Sequence, residues 1–210
     1  VKILVTGFEP FGGMGLNPTE AILKDIGKEE FEGAEIYTVL LPVNYDECAE
    51  KIIGEIERIS PDAVISCGLY AGRTAITPER IGINMKDTMG EDPIADNRGI
   101  KPIDERINPE GPDGLFSTLP NRQITYNLLK RGIPSFISNT AGTFICNNTL
   151  YAVLDYIRRN DLSIIAGFIH FPASTAMAVE KQTLPSLPHQ TMVEGLKIII
   201  ETVIDDRKRK

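Results

Sequence analysis

The sequence predicts an α/β fold, a three-layer α/β/α sandwich around a twisted, mainly parallel sheet, and three observations carry that prediction. Short apolar, β-branched runs recur along the chain, bounded by Gly, Pro or Asp. Segments with helix-start signals lie between several of them. No internal repeat or low-complexity linker interrupts the alternation, so a single domain over residues 1–210 is expected. Strands buried on both faces read as continuous apolar runs, and strands alternating with helices are joined by crossovers into a parallel sheet.

The strand runs are 1–6, 36–41, 63–67, 80–84, 135–138 and 163–170. Asn17-Pro18-Thr19-Glu20 supplies an N-cap, a proline at the first helical position and a glutamate in the first turn, and Asn44-Tyr45-Asp46-Glu47 repeats the cap and the acids. Helices over 18–27 and 45–59 follow from these signals. A third is predicted over 119–131, where Gly132 and Pro134 stop it; a fourth follows Cys146, with Leu150, Val153, Leu154 and Ile157 on one face; the last spans 190–207. Two stretches depart from the pattern, 85–117, dense in Gly, Pro, Asp and Asn, and 172–189, with three prolines. Loops of that length are covers, small hairpin excursions or subunit contacts.

At 210 residues, with 42% hydrophobic content and a net charge of −7, the chain can bury a complete core and offers nucleic acid no attraction. Its one basic cluster, Arg207-Lys208-Arg209-Lys210, reads as the solvated end of the last helix. Three cysteines, Cys48, Cys67 and Cys146, show no CxxC spacing and no even count, which suits a reducing compartment. The two histidines, His170 and His189, lie in no metal-ligand motif, so no metal site is expected. No apolar run approaches the roughly 18 residues of a membrane span, and the chain opens on a strand-like run without a charged leader. A cytoplasmic protein without membrane contact is expected.

In an open α/β sheet, functional groups gather at the carboxyl ends of the strands, here the segments after Thr6, Cys67 and His170. Cys146 follows Ser138-Asn139-Thr140-Ala141-Gly142-Thr143-Phe144-Ile145 at the start of a predicted helix. Free N–H groups and the dipole at such a place favour a thiolate and can hold an oxyanion, although a lone cysteine also reads as a small core hydrophobe. His170 ends an apolar strand; it is either a core histidine satisfied by a carbonyl or a general base facing the same crevice. A thiol–imidazole pair needs a third group to orient the ring, and Glu79, ahead of the apolar Ile81-Gly82-Ile83, is one candidate among 29 acids. It equally reads as a surface ion pair or a first-turn acid. His189 reads as a loop residue. The loop Thr6-Gly7-Phe8-Glu9-Pro10-Phe11-Gly12-Gly13 lacks a GK[ST] ending and a G-x-G-x-x-G, and its two phenylalanines suit a small apolar slot better than a phosphate.

That loop with Asn17-Pro18, Gly72-Arg73 with Ile76-Thr77-Pro78-Glu79-Arg80-Ile81, the segment from Ser138 to Asn147, and Gly167-Phe168-Ile169-His170 together closely resemble the pyroglutamyl peptidase I family, also called pyrrolidone-carboxylate peptidases. The motifs spread over nearly the whole chain in the family's order. The resemblance implies a cysteine exopeptidase that removes N-terminal pyroglutamyl residues from peptides through a thioester, without metal or cofactor, commonly as a homotetramer. It implies a Glu-Cys-His triad falling on Glu79, Cys146 and His170, and substrate contacts from Phe8, Phe11, Asn17, Leu69 and Ile145.

Two departures stand against the pattern. Leu69 occupies a position where many members carry glutamine, and segment 85–93 replaces an Asp-Ala-Arg stretch, so no arginine is assigned to the site. The late loop around Ser186-Leu187-Pro188-His189 has no cysteine, which leaves any tetramer to non-covalent contacts there. Competing readings are a cysteine hydrolase of the same fold acting on another small amide, a binding protein that keeps the pocket without catalysis, and a nucleotide-binding oxidoreductase.

Overall fold

The structure, a computed structural model, describes residues 1–88 and 94–209. The chain runs β1 (Lys2–Phe8), α1 (Pro18–Ile26), β2 (Glu35–Leu41), α2 (Tyr45–Ile59), β3 (Ala63–Leu69), β4 (Thr77–Pro78), β5 (Ile81–Ile83), β6 (Gly114–Phe116), α3 (Asn121–Lys130), α4 (Ile145–Arg159), β7 (Ile165–Phe171), β8 (Ala173–Ser174), α5 (Thr175–Glu180), β9 (Ser186–Leu187) and α6 (His189–Lys208). The central sheet has the order β2-β1-β3-β7-β4; its first four strands are parallel and β4 is antiparallel at the edge.

Strand period explains the layers. Ile3 and Val5 of β1, Ile65 and Cys67 of β3 and Ile169 and Phe171 of β7 face one core, shared with Ile22, Ile26, Ile124, Leu128, Leu196, Ile199 and Val203 of α1, α3 and α6. Their alternates Leu4, Phe8, Val64, Ala166 and Phe168 face a second core with Cys48, Ile52 and Ile56 of α2 and Leu150 and Val153 of α4. The central strands β1, β3 and β7 therefore bury apolar residues on both faces, as the continuous runs in the sequence require.

The helix-start signals work as chemistry. Asn17 Oδ1 accepts from Thr19 N at 3.1 Å, and Asn44 Oδ1 accepts from Asp46 N at 3.1 Å and Glu47 N at 3.0 Å, each satisfying donors that the first helical turn leaves unpaired. Two predicted strands come out differently. Segment 135–138 forms no strand and makes only bridges, Ser135 with Ile76 and Ser138 with Glu79. Segment 80–84 leaves the main sheet and pairs β5 with β6 in a separate antiparallel ribbon, packed on α4. Both runs are apolar enough for strands, but the edge they would occupy is taken by β4, whose proline lacks the N–H to continue the ladder outward. The helix predicted over 119–131 begins only at Asn121, because Pro120 precedes it.

The two long loops are tied down. Segment 94–113 crosses to the β1 loop and to the start of α2: Asn97 Nδ2 donates to Glu9 Oε1 at 2.8 Å, Asn97 N to the Val43 carbonyl at 2.8 Å, and Tyr45 N to Asp96 Oδ2 at 3.3 Å. Segment 172–189 holds α5 between the short parallel pair β8 and β9. Among the described residues, no helix is long and apolar enough to cross a membrane.

Replacing Asn44 by Ala removes the cap of α2 and should cost about 1 kcal/mol. Urea denaturation should show a lower midpoint with an unchanged slope.

Candidate active site

His170 lies near the end of β7, on the face shared with Ala166 and Phe168. Its register partner on β3 is Gly68, and the sulfur of Cys146 rests directly over that glycine: a Cβ built on Gly68 would stand 2.9 Å from Cys146 Sγ and 2.7 Å from Phe168 Cζ. Adjacent strands are about 4.8 Å apart, so Gly68, with the thiol over it, lies one strand from His170. The close approach requires glycine. Any side chain at position 68 would occupy the place of the sulfur.

Cys146 reaches that position as the second residue of α4. The turn ahead of it passes through Gly142 at φ +77°, a left-handed conformation that glycine adopts without strain. Phe144 occupies the N-cap and makes no side-chain capping bond, so no side chain takes up the first N–H groups of the helix. Those donors sit beside the sulfur, where an oxyanion would form. Asn147, the next residue, is fully buried; its amide donates to the carbonyls of Ile83 and Met85 and accepts from Ile83 N, fixing the helix start against β5.

On the other side of the ring, His170 Nδ1–H donates to Glu79 Oε1 at 2.7 Å, with the carboxylate wholly buried. Glu79 follows β4, and its N–H donates to the Phe168 carbonyl at 2.8 Å, which aligns it with β7. Phe168 stacks against the imidazole at 4.9 Å between centroids, and Tyr70 meets it edge-on at 5.2 Å. A residue assigned no role from sequence also belongs here. Arg73 Nη2 donates to Glu79 Oε1 at 3.3 Å and to Ser138 Oγ at 2.9 Å. Its place within Gly72-Arg73, just ahead of the glutamate motif, was the available signal.

Burial pushes the Cys146 thiol up, with the negative charges of Cys48 and Glu79 adding to it, against the pull of its own backbone N–H. Desolvation thus opposes the helix start at this sulfur. Burial also holds the His170 imidazole below its ordinary value, opposed by the hydrogen bond and charge of Glu79 and assisted by Arg73. Cys48 is pushed up to about 11 by burial, and Cys67 is raised for the same reason.

The remaining sequence candidates fall into an inner and an outer set. Phe11 and Phe144 are half-buried with centroids 6.0 Å apart, and Tyr45 meets Phe144 edge-on at 5.7 Å, forming an aromatic wall beside the helix start. Phe8 is buried behind it, 6.3 Å from Phe168. Ile145 is buried in the same core. Asn17 uses both ends of its amide locally, Oδ1 in the cap and Nδ2 to the Glu9 carbonyl at 3.1 Å. Leu69 points to the opposite face of β3 from Gly68 and packs with Ala173 and Met177, meeting the aromatic wall only through Phe11. Of the altered segment 85–93, Met85 to Thr88 are described, with Asp87 N donating to the Thr143 carbonyl and Thr143 Oγ1 to the Asp87 carbonyl; residues 89–93 lie outside the described residues.

Comparison with known proteins gives the family. The pattern of the pyroglutamyl peptidase family matches residues 1–206. A pyrrolidone-carboxylate peptidase of a Thermoanaerobacter species is 43% identical over 203 residues, covering 97% of this chain and 98% of its own length, and that of Vibrio parahaemolyticus is 44% identical over 204 residues, covering 97% and 93%. Among solved structures, a mutant pyrrolidone carboxyl peptidase from Pyrococcus furiosus superposes with a TM-score of 0.93 at 38% identity, covering 98% of this chain and 99% of that one. Pyroglutamyl peptidase I from Bacillus amyloliquefaciens superposes with a TM-score of 0.91 at 35% identity, covering 96% and 94%. With its match over nearly its full length and the same mixed, mostly parallel sheet, the chain belongs to the pyroglutamyl peptidase family.

Proposed function

We propose that this member of the family cleaves N-terminal pyroglutamyl residues from peptides through an acyl-thioester on Cys146, with His170 as base and acid and Glu79 orienting the ring. The observation that carries the reading is the alignment of the thiol over Gly68, one strand from an imidazole whose Nδ1 is held by a buried carboxylate. Glu79 fixes the tautomer, so the Nε2 lone pair is free to take the thiol proton.

In the first half-reaction the sulfur attacks the pyroglutamyl carbonyl carbon while its proton passes to Nε2. The carbonyl oxygen becomes an oxyanion at the uncapped start of α4. Collapse breaks the C–N bond, and the Nε2 proton goes to the leaving amine. In the second half, Nε2 takes a proton from water as the hydroxyl adds to the thioester, and collapse returns that proton to the sulfur and frees pyroglutamate. The lactam is uncharged, so the site needs no acid for an α-ammonium. Phe11 and Phe144, backed by Phe8, Ile145 and Leu69, supply the apolar slot, and Asn17 shapes it by holding the Glu9 turn.

In this reading charge separates at the moment of attack. The preorganised donors and the buried Glu79 then stabilise the imidazolium and the oxyanion together.

The protein is further proposed to work in a reducing, cytoplasmic setting as a homotetramer. Three free cysteines support the first part, and the exposed Phe116, Tyr126, Leu129 and Phe136 support association. Light scattering of the purified chain should give four times the 23.2 kDa protomer mass.

Hydrolysis of a pyroglutamyl fluorogenic amide, beside prolyl and alanyl amides, tests the central reading. Release should be confined to the pyroglutamyl compound and abolished in Cys146→Ala; a folded wild type that releases nothing, or that prefers another amide, overturns it. Gly68→Ala should lose about 100-fold or more in kcat/KM, because its Cβ would stand 2.9 Å from the sulfur and push it aside, and a misplacement of about 1 Å is enough for such a loss. Because burial lowers the imidazole, the active neutral form persists on acidification, and the acid limb of kcat/KM should lie below the ordinary histidine value of about 6.5.

A further inference from the structure

We infer that Arg73 is a positioning residue for this reaction: its guanidinium holds the buried Glu79 carboxylate aimed at His170, and ties the loop leading to Cys146 to the same carboxylate. The inference rests on the roles proposed for Glu79, His170 and Cys146.

The Arg73 side chain is 12% exposed and Glu79 wholly buried. One nitrogen, Nη2, donates to Glu79 Oε1 at 3.3 Å, to Ser138 Oγ at 2.9 Å and to the Thr140 carbonyl at 3.3 Å. Ser138 and Thr140 open the segment that turns at Gly142 and delivers Cys146, so base-side and nucleophile-side elements meet at one cation. Ser138 in turn donates to the Thr140 carbonyl at 3.0 Å and bridges to Glu79 through its backbone. The guanidinium is itself held in place, 4.4 Å over the Tyr70 ring and 5.7 Å from the Phe136 ring, with its backbone N–H donating to the Tyr70 carbonyl. Tyr70 continues the chain of contacts to the edge of His170.

The need for such a cation follows from burial. An ionised carboxylate without water requires compensation, and a neutral imidazole supplies only a hydrogen bond. Glu79 Oε2 has no hydrogen-bond partner among the described residues, so stabilisation falls on Oε1, which both His170 and Arg73 approach. The titratable and charged groups around the imidazole are Glu79 after β4, Cys146 on α4, Tyr70 after β3 and Arg73 in the following turn; its neighbours in the sheet, Gly68 and Thr77, carry no charge. Arg73 is the single cation among them. Without it, the Glu79–His170 pair should take up its next proton more readily, converting the base to imidazolium at a higher pH.

The test uses the full chain and two readouts. Nitrogen NMR of the imidazoles is simple, since there are two histidines and His189→Gln assigns them. In Arg73→Gln the His170 protonation midpoint should move to higher pH, the acid limb of kcat/KM should move with it, and kcat/KM at the optimum should fall about 10- to 100-fold, the range for losing a charge-assisted hydrogen bond. Arg73→Lys, which keeps the charge, should restore the midpoint toward that of the wild type. A His170 midpoint unmoved in folded Arg73→Gln overturns the inference even where activity falls, since a packing role alone predicts that result. If Arg73→Gln does not fold, a His170 midpoint in Arg73→Lys displaced as far as a full unit overturns it instead. The NMR readout needs no substrate, so failure to release pyroglutamate would count against the proposed activity and not against this role.

Discussion

Burial of the Glu79 carboxylate is the constraint around which the site is organised. A charge removed from water must be met by hydrogen bonds and opposite charge, and the chain meets it from three directions: His170 from β7, Arg73 from the turn after β3, and the Ser138 loop through its bridge and through Arg73. These elements lie far apart in sequence. The carboxylate therefore acts as a common reference point, and breaking a buried charge pair from one side leaves the other uncompensated, at a cost of several kcal/mol. Catalytic geometry and local stability thus depend on the same contacts.

The second constraint is steric. The sheet supplies the imidazole and α4 supplies the thiol, and they can meet only where the intervening β3 position has no side chain. Gly68 provides that opening, while Phe168 closes the space beneath it. Burial there raises the thiol and lowers the imidazole. At the start of α4 the N-cap side chain accepts no hydrogen bond, so no side chain closes the first N–H groups. Phe144 leaves that start without a side-chain cap, as Pro120 and Pro188 do at α3 and α6, whereas Asn17 and Asn44 close the starts of α1 and α2.

Much of this was legible in the chain. Apolar runs and cap signals located α1, α2, α4, α6 and the four parallel strands, because local propensity and two-sided burial leave direct traces in residue type. The histidine at the end of β7 and the cysteine at the start of α4 were readable as placements, since an α/β sheet brings strand ends and helix starts to one edge. Segments 80–84 and 135–138 were not, because edge pairing is a competition among segments: Thr77 and Pro78 take the place beside β7, and apolarity alone does not say which run wins.

What the sequence determined by itself, then, is the layered fold, the helix ends and the residue types from which a thiol chemistry can be built, since these follow from short-range periodicity and capping. Residue type and order left Glu79 one acid among many until the family resemblance singled it out; tertiary structure decided how it is held against His170, that Arg73 joins it, and that Leu69 turns away from Gly68. The physical reason is common to all three. Each depends on the distance and the exclusion of water between groups brought together by the sheet, and electrostatic energies are governed by those two quantities rather than by residue identity.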